Sequence, residues 1–294
     1  MLTTSDMGKQ AQLDWKESIP FLLSSGETID VNIFVLLLSF SRYRIYRVSL
    51  TKTQDILFSF LDDAFENFGG IPEEILTDNM KTVMDEARTE HSPGKVNNRF
   101  QQFADDYGFK VRPCIAGCPK TKAKVEAPMK VLDEIRAYNG KLNYRELVAL
   151  VTRINNRVNS RVNQGTGRIP SLYFIKEKAF LHSLPTDSIR KPYRITTDNV
   201  KINHSSMFQY KGNQYSVPPE YVGKVVSLQV YDGYIHVYCN TDFITIHQIS
   251  HKKLNYISDH YAAIARKSHV FKEEHIMDRA KENLAIIGKV YGYE

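Results

Sequence analysis

From Val31 to Phe40 only two side chains are polar, Asn32 and Ser39, and this run constrains the fold more than any other stretch. At strand periodicity Val31, Ile33, Val35 and Leu37 share one face, and Phe34, Leu36 and Leu38 share the other. A strand apolar on both faces belongs in the middle of a sheet that is covered on both sides. The run is too short to span a bilayer. The opening residues, Met1 to Lys9, have neither a charged segment nor an apolar stretch of the secretory kind. A cytoplasmic location with no membrane partner is therefore expected.

The flanking sequence supplies the rest of such a sheet. Residues 11–23 read as a strand in which Asp14 alternates with Leu13 and Trp15, and Arg44–Leu50 alternates again as the next antiparallel strand. Thr53 is placed to cap a helix whose Ile56, Leu57, Phe60, Leu61, Ala64, Phe65 and Phe68 recur at helical spacing, with Gly69 and Gly70 ending it. A brief strand over 71–79 turns polar at Asp78 and Asn79. Phe100, Phe103, Ala104 and Tyr107 predict a second helix, closed by Gly108, and Phe109–Arg112 another short strand. A loop from Cys114 to Lys124 follows, broken by Gly117 and Pro119. The next helix buries Val125, Met129, Leu132 and Ile135 and stops at Asn139-Gly140. Pro128 is tolerated only in its first turn, which puts the helix start near Lys124–Val125 and Glu126 beside the loop. Three strands, helix, strand, helix, strand, loop, helix is the order of an RNase H-like α/β fold with a mixed sheet. On this reading residues 1–140 form the catalytic core and 141–190 a helical linker. Residues 191–250, with hairpin signals at Lys211-Gly212-Asn213 and Asp232-Gly233, form a small β-barrel, and 251–294 a partly helical tail.

Charge is distributed unevenly. The chain nets +6, yet Cys118–Arg168 alone nets +7, from eleven Lys/Arg against four Asp/Glu. A basic surface confined to one segment suits a polyanion partner. Lys120, Lys122, Lys124 and Lys130 surround Glu126, and Arg153, Arg157 and Arg161 recur at helical spacing further on. The arginines fit two readings, a solvated helix face or a stripe tracking phosphates. Three cysteines, Cys114, Cys118 and Cys239, make no disulfide framework, and no His or Cys pair completes a metal site with the first two.

Three carboxylates sit where strand or helix meets polar sequence: Asp14 within the first strand, Asp78 closing the strand after the first helix, and Glu126 opening the helix after the basic loop. An acid in a first helical turn is ordinary in its own right, and each aspartate on its own reads equally as a surface carboxylate. If the strands of Asp14 and Asp78 are neighbours, the two share a divalent ion, and Glu126 approaches from the side. Oxygen-only ligands suit Mg²⁺ or Mn²⁺. Two such ions about 3.5–4 Å apart activate an attacking oxygen and stabilise a leaving one in phosphoryl transfer. The lysines are then placed to hold nucleic acid over the site.

At these positions the chain resembles a known family. Gln12–Lys16 (QLDWK), Leu76–Lys81 (LTDNMK) and Lys122–Glu126 (KAKVE) are similar to the three acidic motifs of DDE transposases and retroviral-type integrases. The resemblance is closest to the IstA type, the larger protein of insertion sequences that also encode a small AAA+ ATPase. It runs from about Gln10 to His251 and includes Arg168–Phe174 (RIPSLYF). It implies cleavage of 3′ ends of element DNA by water and strand transfer by the freed 3′-OH, with Asp14, Asp78 and Glu126 as metal ligands. It also implies homo-oligomeric assembly on DNA ends and an AAA+ ATPase helper. Members carry an N-terminal helix-turn-helix region, whereas here the first motif begins at residue 12, so a fragment lacking that region is expected. Two rival readings stand beside this one: an RNase H-like nuclease, and a non-catalytic DNA-binding or assembly remnant.

Overall fold

A computed structural model of the protein describes residues 6–24, 26–115, 129–195, 197–231, 233–239, 242–267, 282–286 and 289–290. The chain divides into two compact units, Met1–Arg194 and Ile195–Glu294.

The apolar run does become the interior of a sheet. In the first unit β1 (Gln10–Leu22), β2 (Thr28–Leu38), β3 (Arg44–Ser49), β4 (Glu74–Thr77) and β7 (Lys110–Pro113) lie in the order β3-β2-β1-β4-β7. The first three are antiparallel, while β1–β4 and β4–β7 are parallel. Every β2 residue from Val31 to Leu38 is buried. The polar interruption at Asn32 has a structural use. β1 slips register between Lys16 and Ile19, and the Ser18 amide exposed by that bulge donates to Asn32 Oδ1 at 3.0 Å.

Helices α1 (Gln54–Phe68) and α2 (Asn98–Tyr107) end as expected at Gly69 and Gly108, both in the left-handed region at φ 71° and 76°. Thr53 occupies the N-cap position of α1, but its side chain caps nothing; Asn97, by contrast, accepts from the amides of Arg99 and Phe100 at the start of α2. Phe58, Phe65, Phe100, Phe103 and Tyr107 interlock between the two helices, with Phe58 and Phe103 ring centroids 4.7 Å apart. Between α1 and α2 a small hairpin, β5 (Met84–Glu86) with β6 (Lys95–Val96), stands beside the sheet.

The helical region after residue 140 packs within this unit. α3 (Tyr144–Ser160) starts on an Asn143/Glu146 capping box and lies along the edge strand β3. Asn155 Oδ1 accepts from the Tyr46 amide at 3.0 Å, and Asn159 both accepts from the Arg44 amide and donates to its carbonyl. Side-chain amides thus satisfy a sheet edge that would otherwise invite another strand. α4 (Pro170–Glu177) places the buried Glu177 carboxylate on the amides of Gly8 and Ser41. A final short helix, α5 (Asp187–Arg190), brings Arg190 and then Arg194 onto Asp62 of α1.

In the second unit β8 (Thr197–Lys201), β11 (Val225–Tyr231), β12 (Tyr234–Cys239) and β13 (Asp242–Gln248) form one sheet. β9 (Met207–Tyr210), β10 (Asn213–Ser216) and β14 (Leu254–Asn255) form another. Phe208, Tyr215, Val226, Leu228, Ile235 and Val237 belong to one apolar cluster fed by both sheets. Lys211 and Gly212, at φ 46° and 79°, make the tight β9–β10 turn that their sequence announces. The segment after residue 250 contributes β14 and α6 (Ser258–Lys267), whose His260, Ala262 and Ala265 are buried. Among the described residues no helix is long and apolar enough to cross a membrane.

Candidate active site

The mixed sheet brings two of the three expected carboxylates together. β1 and β4 run parallel with Gln10 opposite Glu74 and, at the end of the ladder, Leu13 opposite Thr77. The next residues are Asp14, still on β1, and Asp78, just past the end of β4. Neighbouring strands lie about 4.8 Å apart, so the register that pairs 13 with 77 carries the two aspartates out as adjacent groups at the carboxyl end of β4. Open α/β sheets offer their ligand sites at the carboxyl ends of parallel strands. Both residues are half-buried, between the buried Leu13 and Trp15 on one strand and the buried Thr77 on the other.

Each aspartate is oriented by its own backbone: Asp14 Oδ1 accepts from the Trp15 amide and Asp78 Oδ1 from the Asn79 amide, both at 2.9 Å. Asn79 fixes the surroundings further. Its Nδ2 donates to the Cys114 carbonyl at 3.0 Å, its Oδ1 accepts from the Arg88 amide at 2.8 Å, and the Arg88 guanidinium donates to the Pro113 carbonyl. The ends of β4 and β7 and the β5–β6 hairpin are thus tied together beside Asp78. Asn79 follows directly on the motif aspartate and was open to reading from the sequence; Arg88 carried no such signal.

Glu126, with Lys120, Lys122 and Lys124, lies outside the described residues. Met129, three residues further on, is the next described residue, and Lys130 is exposed. The helix expected to continue to residue 138 tightens to 3₁₀ geometry over Leu132–Tyr138, while Leu132 and Ile135 are buried as expected. Lys16, two residues after Asp14 on β1, donates to the Met129 carbonyl at 3.0 Å and to Asp133 Oδ1 at 2.8 Å. That ammonium holds the Asp133 carboxyl below its usual range. Arg153 and Arg157 of α3 and Arg161, its C-cap, occupy different settings. Arg157 is half-buried and paired with Glu134, whereas Arg153 and Arg161 are exposed. Among the described residues no cluster of three or more His, Cys, Asp or Glu forms. Two adjacent carboxylates are a hard-oxygen pair, which fits Mg²⁺ or Mn²⁺ and suits softer metals poorly. Cys114 and Cys239 are free thiols.

Residues 6–119 match the family model described as Integrase core domain, a span that includes both aspartates and stops short of Glu126. Residues 189–259 match Mu transposase, C-terminal domain. The chain therefore combines an integrase core, with its RNase H-like α/β fold, and a Mu-type C-terminal domain, and its relatives are insertion-sequence transposases. It is similar to the transposase for insertion sequence element IS232 of Bacillus thuringiensis subsp. berliner, 54% identical over 98% of this chain and 66% of that protein. It is 33% identical to the putative transposase for IS5376 of Geobacillus stearothermophilus, over 74% of this chain and 53% of the relative. With the transposase for IS21 of Pseudomonas aeruginosa it shares 28% identity over 82% of this chain and 61% of the relative. The chain thus spans between half and two thirds of the length of these relatives.

Proposed function

We propose that the chain is the catalytic portion of a DDE-type transposase of an insertion sequence, cutting element DNA at its 3′ ends and joining them to target DNA. The observation that supports this reading is the parallel β1–β4 register, in which Leu13 faces Thr77 and Asp14 and Asp78 are the next residues along the chain. Together with Glu126 they are the residues to hold two Mg²⁺ or Mn²⁺ ions, which supply activation of the attacking oxygen and stabilisation of the leaving one. In the first step water attacks the phosphodiester, the bond from phosphorus to the 3′ oxygen breaks, and a 3′-OH is left on the element end. In the second step that 3′-OH attacks a target phosphodiester and displaces a new 3′ oxygen. Asn79 and the Trp15 amide keep the two aspartates aimed.

Lys120, Lys122, Lys124 and Lys130 contact the DNA backbone in this reading, with Arg153, Arg157 and Arg161 extending the basic surface. The protein acts in the cytoplasm as a homo-oligomer assembled on DNA ends, with an AAA+ ATPase as helper in choosing the target. The test is Mg²⁺-dependent joining of a pre-cleaved DNA end to a plasmid. Product is expected from this chain, and Asp78→Ala is expected to reduce it to background while DNA binding persists. Joining that survives Asp78→Ala overturns the reading. Intact DNA binding without any joining by the unsubstituted chain favours the non-catalytic assembly role.

A further inference from the structure

We infer that Arg42, braced by Arg44, forms a phosphate site in the β2–β3 turn that takes a backbone phosphate of bound DNA, an inference that rests on the DNA-acting part of the reading above. Elsewhere in the first unit a buried charge has its counter-charge, as Arg190 has Asp62. Arg42 and Arg44 differ. Arg44 is 4% exposed and Arg42 half-buried, yet among the described residues neither forms an ion pair. The carboxylate whose field reaches Arg42 is Glu177, and its oxygens are taken by the amides of Gly8 and Ser41. Arg42 Nη1 is sealed from solvent with no hydrogen-bond partner, while the half-buried side chain leaves the rest of its guanidinium open. Burial first, and then the neighbouring Arg44 charge, push the Arg42 guanidinium down from its ordinary value against the pull of Glu177. A cation so placed is costly unless an anion meets it from the open side.

The turn holds this guanidinium in place at the expense of its own backbone. Arg42 sits at φ 65°, in the left-handed region that arginine rarely adopts. Its amide donates to the Leu38 carbonyl at 3.0 Å, and Arg44 Nε donates to the Arg42 carbonyl at 3.2 Å. On either side of it Tyr43 stacks on Phe174 of α4, with centroids 4.2 Å apart, and Phe40 packs against Tyr173. Glycine would take this conformation without strain, so what arginine adds here is its side chain. More positive charge gathers at the turn: Arg168 lies 5.5 Å from the Phe40 ring centroid, and the exposed Arg161 follows Asn159, which clasps the Arg44 backbone. The ladders place the turn relative to the aspartates. Arg44 pairs with Leu37 and Leu37 with Gln12, so Arg44 leaves the sheet on the face that Gln12 shares with Asp14. Two strands across and one pleat back, its Cα lies about 12 Å from that of Asp14. A DNA strand rising about 3.4 Å per nucleotide covers that span in about four nucleotides. The guanidinium's fixed fork offers a phosphate two parallel donors, which an ammonium does not.

The test uses the full chain with Arg42→Gln and Arg42→Gly, the second because glycine accepts the left-handed backbone. Affinity for a DNA duplex is read by fluorescence anisotropy across a salt series, and thermal unfolding is followed with and without inorganic phosphate. Both variants are expected to bind the duplex about 10-fold more weakly, and to flatten the slope of log affinity against log salt by about 1, the share of one phosphate contact. Arg42→Lys, which keeps the charge and loses the fork, should keep the slope and recover only part of the affinity. Inorganic phosphate should raise the unfolding midpoint of the unsubstituted chain more than that of either variant. Without phosphate, Arg42→Gly is expected to unfold at the unsubstituted midpoint or above it, since it sheds both strain and unpaired charge. Unchanged affinity and slope in both variants overturn the inference, and a lowered midpoint with them makes Arg42 a structural residue. A phosphate effect that depends on Arg42 while DNA binding does not change leaves a site for a free anion only, which equally overturns it. Variants that alter the oligomeric state but not the salt slope would assign Arg42 to a carboxylate of a second copy, again against the inference. If the unsubstituted chain does not bind the duplex, the functional reading falls first; if it binds and the variants match it, this inference falls alone.

Discussion

The two units solve the same problem, a polar group inside an apolar core, in opposite ways. The first buries charge in pairs. Asp62 of α1, 3% exposed, accepts from Arg190 Nε at 2.6 Å, Arg194 Nε at 2.7 Å and the Tyr107 hydroxyl at 2.8 Å. Burial alone would push its carboxyl up; the hydrogen bonds from Arg190, Arg194 and Tyr107 overcome that and hold it below the usual carboxylate range. The second unit buries imidazoles and keeps them neutral. His236 stacks on Tyr231, His247 Nε2 sits 2.6 Å from the Ser216 carbonyl, and His260 Nδ1 lies 3.0 Å from Ser216 Oγ. Burial pushes them down to about 3, 4 and 3 respectively, and the neighbouring His247 adds to the effect on His260. A buried ion pair depends on both partners being present, whereas a buried neutral base depends on the pH outside.

That contrast can be broken most forcefully at Asp62. Asp62→Ala leaves Arg190 and Arg194 only the more exposed Glu66 and Asp187 as acidic partners, and removing one partner of a buried pair costs up to about 3–5 kcal/mol. Urea unfolding read by Trp15, the only tryptophan and a buried residue of the first unit, is expected to show that loss. Labelling of Cys239, in the second unit, should report little change. A loss below about 1 kcal/mol at Trp15 would mean that the pairing contributes no net stability.

Acid should act on the other unit. The unfolded chain's histidines take up protons below about pH 6.5, while the folded second unit refuses them until pH 4 or lower. Stability from these residues is therefore complete above pH 6.5 and falls as pH drops toward 4, by about 1.4 kcal/mol per pH unit for each histidine. In the first unit Asp62, held low, contributes stability above its ordinary value near 3.8 that is lost only as pH falls below that. Glu177, pushed up by burial against the hydrogen bonds it receives from Ser41, Gly8 and Phe40, has the opposite sign: its contribution is present at low pH and lost as pH rises past about 4.5. Between pH 6.5 and 4.5, Cys239 labelling should accelerate steeply while the Trp15 signal holds. Parallel loss of both signals would remove the distinction between the units.

The smallest expected effect tests whether the units differ in anything other than buried chemistry. Gly108 and Gly212 both have φ near +80° with open space where a Cβ would stand. Substitution to Ala at either costs only backbone strain, about 1–2 kcal/mol. Equal losses at the two positions, each read by its own unit's probe, would confine the contrast to side-chain ionisation.

Much of this architecture was legible because it rests on local pattern. The two-faced apolar run from Val31, the helical phase of Ile56–Phe68, the glycine stops at Gly69 and Gly108, and the Lys211-Gly212 turn each follow from the conformational preferences of a few adjacent residues. The aspartates could be named for the same reason, each marking the place where a strand turns polar. Their adjacency could not, because one residue of slip between β1 and β4 would send Asp14 and Asp78 to different places, and register is decided by packing across the whole sheet. Helix α3, within the segment expected as a helical linker, packs against β3 through Asn155 and Asn159, whose pairing with a strand edge has no signature in their own neighbourhood. The same holds for the Asp62 cluster, whose members are separated by up to 132 residues.

By itself, then, the sequence determined where the main strands and helices of the first unit lie, where glycine ends the two helices, and which carboxylates stand where apolar strands turn polar. Tertiary structure alone decided that Leu13 faces Thr77, with Asp14 and Asp78 next along the chain, that Lys16 reaches Met129 and Asp133, and that one unit buries ions while the other buries neutral bases. Periodicity and turn geometry are properties of neighbouring residues along the chain. Partnership between buried polar groups depends on which distant residue happens to arrive beside them, and only the folded chain specifies that.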